Sequence, residues 1–290
     1  MIINGKLIAE DIEKDIQEKI SKISERKPAL AVIMAGEDPA SVIYVRNKEK
    51  KCKQVGILSE SLRLPSNISE NELIKKIELF NRSPNIDGIL VQLPLPQHIS
   101  ENNIIERISP EKDVDGFHPI NVGKMLIGNE SGFLPCTPNG IKTLLKHSDI
   151  SIEGKHVVIV GRSNIVGKPT AAILVQPQPF CNASVTIVHS KTSNIKEICK
   201  TADVIIVAVG KAFFIKEDMI KKDAIVIDVG INRINDPNTK KGYRLVGDAD
   251  FEGLVDKCSY ITPVPGGVGP MTIAMLLQNT LLSYQRRMGK

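Results

Sequence analysis

Tyr44 and Lys48, in Tyr44-Val-Arg-Asn-Lys48, stand four residues apart and so fall on one face of any helix that contains them. A phenol offers a flat apolar surface with a polar tip, and an amine can move protons or hold anions. Alone the pair marks no more than a helix face: Lys48 stands among Lys50, Lys51 and Lys53, and lysines on helices are mostly solvated. Gln92 is more telling. It lies inside Ile89-Leu-Val-Gln-Leu-Pro94, where a polar amide at the carboxyl end of a buried strand must find partners or bind something. Asp113-Val-Asp115-Gly-Phe-His-Pro119 adds two carboxylates in a turn-rich passage. A metal site is possible in principle, though no His or Glu spacing beside them supports one, and the alternative reading of both is turn and cap formation.

Gly161-Arg-Ser-Asn-Ile-Val-Gly167-Lys-Pro169 follows an apolar strand and precedes a helical stretch, the context of a dinucleotide-binding turn. Two glycines stand where the usual pattern has three, so the context carries the reading more than the motif does. The next strand ends in Val188-His189-Ser190-Lys191, without the carboxylate that usually meets the ribose hydroxyl of NAD. Arg162 with Ser190 and Lys191 suits a 2′-phosphate, which favours NADP. The alternative is that Arg162 and Lys191 are solvated surface cations. Thr262-Pro-Val-Pro-Gly-Gly-Val-Gly-Pro-Met-Thr272 reads either as a rigid loop feeding the last helix or as backbone that approaches a ligand closely.

The elements that must position these residues follow from periodicity and punctuation. Leu7 to Ser24 has apolar residues at helical spacing, and Ala29 to Met34 reads as a strand closed by Gly36. Asp38 as N-cap, Pro39 in the first turn and Gly56 as stop frame the helix that bears Tyr44 and Lys48. Ser69 and Glu72 form a capping box that opens a helix to about Phe80, and Gly88 onward is strand-like. The first hundred residues thus alternate helix and strand, as in an α/β layer fold with a parallel sheet. A Pro- and Gly-rich passage from Asp113 to Gly140 separates this from a second alternating block, with Thr137-Pro138 expected as cap and first residue of a linking helix. Its strands are read at His156–Val160, Ser184–Val188, Val204–Val209 and Ile225–Val229, in a sheet covered on both faces. A last helix runs from about Pro270 to Arg286 and could return to the first domain.

With 290 residues, 42% hydrophobic and 24% charged, the chain can bury the core of roughly two domains. A net charge of +5 with acids and bases interleaved favours small anionic ligands over nucleic acid. Charges near Met1 and the absence of an eighteen-residue apolar run point to a cytoplasmic protein with no membrane partner. Five scattered cysteines (Cys52, Cys136, Cys181, Cys199, Cys258) are expected as reduced structural thiols.

Together these blocks resemble the bifunctional methylenetetrahydrofolate dehydrogenase/methenyltetrahydrofolate cyclohydrolase (FolD) family, in its order and along essentially the whole chain. They are Tyr44-x-x-x-Lys48, Val91-Gln-Leu-Pro-Leu-Pro96, Asp113-Val-Asp-Gly-Phe117, Pro135-Cys-Thr-Pro-Asn-Gly140, Gly161 to Pro169, His189-Ser-Lys-Thr192, Asp228-Val-Gly-Ile-Asn232 and Pro263 to Thr272. The resemblance implies an α/β chain of two domains with a folate cleft between them. Residues 1–118, completed by the C-terminal helix 268–290, form a catalytic domain; 119–267 form a Rossmann-like NADP-binding domain through which the family is usually homodimeric. By the same carry-over Tyr44 stacks on the folate ring, Lys48 is the catalytic lysine with Gln92 beside it, and Asp115 anchors the pterin. Leu93, Pro263, Gly266 and Gly267 complete the folate set. The NADP set is Gly161, Arg162, Ser163, Ile165, Val166, Gly167, His189, Ser190, Val209, Gly210, Gly230 and Ile231. One departure, Val175-Gln-Pro-Gln-Pro-Phe-Cys-Asn182, bears on where its helix ends and not on the activity.

The implied reactions suit these residues. Hydride loss from the carbon bridging two nitrogens needs positioning against a nicotinamide more than acid or base. The methenyl cation that results is opened by water, which requires proton movement. Lys48 is the candidate, with a neutral Gln92 orienting its amine. Rival readings are a dehydrogenase without the cyclohydrolase, a non-catalytic NADP-binding protein, and an NADP oxidoreductase acting on a small carbonyl compound.

Overall fold

The computed structural model describes residues 1–239 and 242–289. In chain order its elements are α1 (Gly5–Ser21), β1 (Ala29–Ala35), α2 (Pro39–Val55), β2 (Leu58–Leu64), α3 (Glu70–Arg82), β3 (Gly88–Val91), α4 (Glu101–Arg107), α5 (Pro119–Leu126) and α6 (Cys136–His147). There follow β4 (His156–Val160), α7 (Gly167–Leu174), β5 (Ser184–Val188), α8 (Ile195–Thr201), β6 (Val204–Val207), β7 (Ile225–Asp228), β8 (Asn232–Asn235), β9 (Tyr243–Val246), α9 (Phe251–Leu254), β10 (Tyr260–Ile261) and α10 (Val268–Arg287). They form two compact units. An N-terminal unit takes Glu10–Cys136 with Ile273–Lys290, and a central unit takes Thr137–Thr272 with Met1–Ala9.

The N-terminal unit is built on a parallel sheet in the order β2-β1-β3. β1 is buried along its whole length, and Ile33, Leu73, Ile77, Ile89 and Ile104 form the core between sheet and helices. The punctuation read from the sequence frames α2 and α3. Asp38 accepts the Ser41 N–H, Pro39 opens the first turn, and Gly56 closes α2 in the left-handed conformation at φ 89. Ser69 and Glu72 make both bonds of the capping box. β2 is an element the sequence reading did not identify: its residues are mostly exposed, so no apolar run announces it, and it is held by backbone pairing at the edge of β1.

Asp87 closes this unit. The carboxylate has no exposed surface, accepts both arms of Arg26 at 2.7 Å, and accepts Arg287 of α10 at 2.9 Å and the Ala29 N–H that starts β1 at 2.9 Å. One turn earlier in α10 the Ser283 hydroxyl shares its proton between the carbonyls of Asp87 and Glu111. Lys112 gives its ammonium to the carbonyls of Phe80, Asn81 and Ser83 at the end of α3. The last helix therefore does return to the first block.

The central unit carries a five-stranded parallel sheet, β10-β7-β6-β4-β5. Within the unit that is the doubly wound order 2-1-3-4-5, with the direction of winding switching between β4 and β6. Val158, Val160, Ile205, Val207, Val226 and Ile261 fill one side of the sheet. β6 ends at Val207 and β7 at Asp228, each shorter than the apolar runs suggest. The Val209 N–H is taken by Asp248 instead of the ladder, while Val229 still donates to Val207. Between these two strands lies a single 3-10 turn, Glu217–Met219. α6 begins at Cys136, so Thr137 is not its cap; its hydroxyl stands 2.9 Å from that of Thr272. In the 175–182 passage α7 stops at Leu174 and a chain of turns follows, with Phe180 and Asn182 at positive φ. The antiparallel hairpin β8-β9 was not anticipated from the sequence. All five cysteines are free and buried, and burial pushes the Cys52 thiol up to about 12.

Replacing Asp87 by Ala strands two guanidinium groups in a half-buried setting and should cost about 3–5 kcal/mol. Urea unfolding of wild type and Asp87→Ala measures this, and an unmoved midpoint would refute the role given to the carboxylate.

Candidate functional site

In the N-terminal unit α2 carries Tyr44 and Lys48 on successive turns of one face. Lys48 is buried at 8% exposure, and its Nζ donates to Gln92 Oε1 at 3.0 Å. Gln92 follows the end of β3. Its backbone N–H still bonds to Ile33 of β1 at 2.8 Å, and its Nε2 donates to the Leu93 carbonyl at 2.5 Å. The amide is therefore fixed at both ends, with its one oxygen facing the lysine. Tyr44 is half-buried, and burial raises its phenol above the ordinary value.

Asp115 is brought to the same place by the turn after Asp113. Asp113 is buried and accepts the N–H groups of Gly116, Phe117 and His118 and the Asn121 amide, so the turn reading of this carboxylate holds. Gly116 has φ 78, and a Cβ on it would press on Leu134 and Pro135. Asn279 of α10 donates to the carbonyls of Val114 and Leu134, tying the two arms that flank Asp115 and Cys136. Burial raises the Asp115 carboxyl above its usual range. The Lys48 charge pulls it back and the Asp113 charge adds to the rise. Cys136 is likewise pushed well up by burial, with Asp115 adding. Tyr44, Lys48, Gln92, Leu93 and Asp115 thus share one unit, with a buried amine, a neutral amide and a carboxylate of raised pKa clustered there.

Pro263, Gly266 and Gly267 belong to the central unit. Gly266 has φ 109, its carbonyl accepts the Lys6 N–H at 2.9 Å, and a Cβ on Gly267 would meet the Pro263 carbonyl. The backbone is thus close-packed at Gly267, where a side chain has no room, while Gly266 is required by its positive φ.

The dinucleotide candidates lie in four loops at the carboxyl ends of neighbouring parallel strands. Val160, Val188 and Val207 are level across β4, β5 and β6, so the loops start side by side. Gly161, at φ 128, donates to Val188, and a Cβ on it would strike the Ala208 carbonyl. Gly167 begins α7 against the Gly161 carbonyl, where a Cβ would also collide. Ser163 Oγ accepts from Val166 and Gly167 and closes the turn. Arg162, Ser163, Ile165, Ser190, Val209, Gly210 and Ile231 are exposed; Val166 and His189 are half-buried. Gly230 is buried, and the space of its missing Cβ is filled by the Asp248 carboxyl. Gly161 brings the first loop against the segment after β6, and Gly167 lets α7 start against Gly161, at the point where the winding reverses, the usual place for a nucleotide in such a sheet. An anionic nucleotide fits this edge, with a cationic Arg162 and no carboxylate in 188–191.

The sequence reading missed Asp248, Asp228 and Asn279. Asp228 opens one of the family-like blocks, but local spacing does not reveal what these residues do, because each also holds backbone groups distant in the chain. Among the described residues no group of three or more His, Cys, Asp or Glu could hold a metal ion, and no helix is long and apolar enough to cross a membrane.

Residues 3–115 match the family model described as the tetrahydrofolate dehydrogenase/cyclohydrolase catalytic domain, and residues 135–288 match its NAD(P)-binding domain. The chain is 59% identical over 286 residues to the Bifunctional protein FolD of Protochlamydia amoebophila, covering 99% of this chain and 98% of that one. With that of Chlamydia felis it shares 53%, covering 99% of each. Among solved structures, the FolD methylenetetrahydrofolate dehydrogenase/cyclohydrolase of Campylobacter jejuni superposes with a TM-score of 0.93 at 48% identity over 99% of each chain. The dehydrogenase-cyclohydrolase (FolD) of Trypanosoma brucei, complexed with NADP cofactor and inhibitor, superposes with a TM-score of 0.94 at 37% identity, covering 100% of this chain and 99% of that one. On a match of this extent to both family domains, the chain belongs to the tetrahydrofolate dehydrogenase/cyclohydrolase family.

Proposed function

We propose that this protein oxidises 5,10-methylenetetrahydrofolate with NADP and hydrolyses the 5,10-methenyltetrahydrofolate formed to 10-formyltetrahydrofolate, serving one-carbon metabolism. The observation that carries the hydrolytic half is the buried Lys48 amine held by a neutral amide, with Asp115 clustered nearby. A dehydrogenase alone would not need it. The match to both family domains supports the pairing of activities, and NADP is supported by the loops of the central unit and by the NADP-bound relative.

Tyr44 gives the folate ring a flat surface to stack on, and Asp115 accepts hydrogen bonds from the pterin. These contacts fix the bridging carbon, which is what hydride loss requires. NADP, when bound, supplies the hydride acceptor. Gly161, Arg162, Ser163, Ile165, Val166, Gly167, His189, Ser190, Val209, Gly210, Gly230 and Ile231 form its binding edge, with Arg162 and Ser190 on the 2′-phosphate. In the second reaction Lys48 Nζ takes a proton from the water that adds to the methenyl carbon and returns one to the ring nitrogen as the bridge opens. Gln92 aims that amine without placing a second charge against it. Leu93, Pro263, Gly266 and Gly267 are assigned to the folate.

For the division of labour we keep 1–118 with 268–290 for folate and 119–267 for NADP. We also assign the protein to the cytoplasm and expect a homodimer through the NADP-binding part, which sedimentation velocity checks directly.

NADPH formation from methylenetetrahydrofolate and NADP, followed by the decay of methenyl absorbance, tests both activities in one cuvette. Methenyl loss at its spontaneous rate would leave only the dehydrogenase. Lys48→Met should lower the hydrolysis by about a hundredfold or more, the worth of a positioned proton carrier; full ring-opening activity in that variant would sink the assignment. Asp115→Asn should raise the folate KM of both activities about tenfold, as loss of a charged hydrogen bond does.

A further inference from the structure

Two buried carboxylates in the central unit have no part in the chemistry above. Asp248 has no exposed surface. Its Oδ2 accepts the N–H groups of Val209 at 2.6 Å and Gly210 at 2.8 Å; its Oδ1 accepts the Lys211 N–H at 2.9 Å and the Asn232 amide at 2.8 Å. A carboxylate has about four acceptor positions, and all are used. Three successive N–H groups converging on one anion form a nest of the kind that binds phosphate. Here the nest holds the protein's own charge, and the opposite side of the loop, with Val209 37% exposed and Gly210 at φ 65, is left to solvent.

Asp228 stands behind it. It is 3% exposed and accepts the N–H groups of Gly230, Asp248 and Ala249 at 2.8–2.9 Å. Its own N–H goes to the Thr262 hydroxyl at 2.7 Å. A Cβ on Gly247 would overlap the Asp228 carboxyl, as one on Gly230 would overlap that of Asp248. Those two glycines leave room for the acids themselves. Burying two neighbouring carboxylates is costly, and a core of apolar residues would hold a loop more cheaply. What the pair provides is directed: it couples Thr262 and the loops after β6, β7 and β9 through six backbone N–H groups accepted by the two carboxylates, the Asn232 amide, and the Asp228 N–H given to the Thr262 hydroxyl.

We propose that Asp248, seated by Asp228, is a positioning residue for the cofactor, setting the loop 209–211 at the distance from Gly161 that the bound dinucleotide requires. This rests on the assignment of that edge to NADP. Asp248 touches no reacting atom, so its loss acts on cofactor affinity and not on turnover.

The test is calorimetric titration of the full-length protein with NADP, together with dehydrogenase kinetics and hydrolysis of the methenyl compound. Asp248→Asn leaves one oxygen where four donors need two. It should weaken NADP binding and raise its KM about tenfold, the value of one charged hydrogen bond. kcat at saturating NADP and the NADP-independent hydrolysis should stay within about twofold of wild type, below the roughly fivefold that a typical neutral hydrogen bond is worth. Asn232→Ala removes a single donor from the same carboxylate and should shift the NADP affinity a few-fold in the same direction. It decides the matter if Asp248→Asn does not fold. Wild-type NADP affinity in the folded variants, or a fall in kcat with KM unchanged, overturns the positioning role. Absence of NADP binding by the wild-type protein overturns the cofactor assignment itself, and this inference with it.

Discussion

A carboxylate without solvent needs donors on every side, and at Asp87 that requirement organises half of the molecule. Arg26 reaches it from the segment after α1, Arg287 from the end of α10, and the Ala29 N–H from the start of β1. Satisfying one charge therefore joins segments some two hundred residues apart. The consequences run toward the site. With α10 fixed at Arg287 and Ser283, Asn279 is carried to Val114 and Leu134, and the turn bearing Asp115 is set against α2. With β1 fixed at its first residue, its partner β3 ends level with Ile33, and Gln92 falls opposite Lys48.

The central unit solves the same problem with different donors. Its buried carboxylates meet no guanidinium; Asp228 and Asp248 are satisfied by backbone N–H groups and one side-chain amide. The difference has a chemical reading. Guanidinium pairs tie helices and strands together, whereas backbone donors shape loops, and it is loops that a nucleotide needs shaped. Burial without a cation also leaves its mark, holding the Asp228 carboxyl up at about 6 despite three hydrogen bonds.

What could be read from the sequence was what acts locally. Asp38, Pro39 and Gly56 specify the bounds of α2 because caps and stops operate within a turn of themselves, and Ser69 with Glu72 does the same for α3. The runs of Val and Ile marked four of the five strands of the central sheet, all but the two-residue edge strand β10, and the order of motifs gave the family. β2 was not legible, since an exposed edge strand of alternating Ser, Glu and Leu shows no apolar run. Nor was the short end of β6, which depends on an acid some forty residues downstream. Lys48 was legible as a candidate through the family resemblance and not by spacing, and its burial among three neighbouring lysines that stay nearer solvent is a fact of tertiary packing alone.

The placement of α10 bears on how the protein is made. Domains that emerge from the ribosome first ordinarily fold first. Here the central unit has all its residues once Thr272 has been translated, whereas the N-terminal unit, most of which is translated before most of the central one, still lacks Asn279, Ser283 and Arg287. Until those residues arrive, the turn at Asp115 has no clamp and Asp87 has one guanidinium instead of two. The part of the chain synthesised first is thus completed last, and a nascent chain stalled before the final helix would present an unfinished catalytic half to the cell's chaperones and proteases beside a finished nucleotide-binding half.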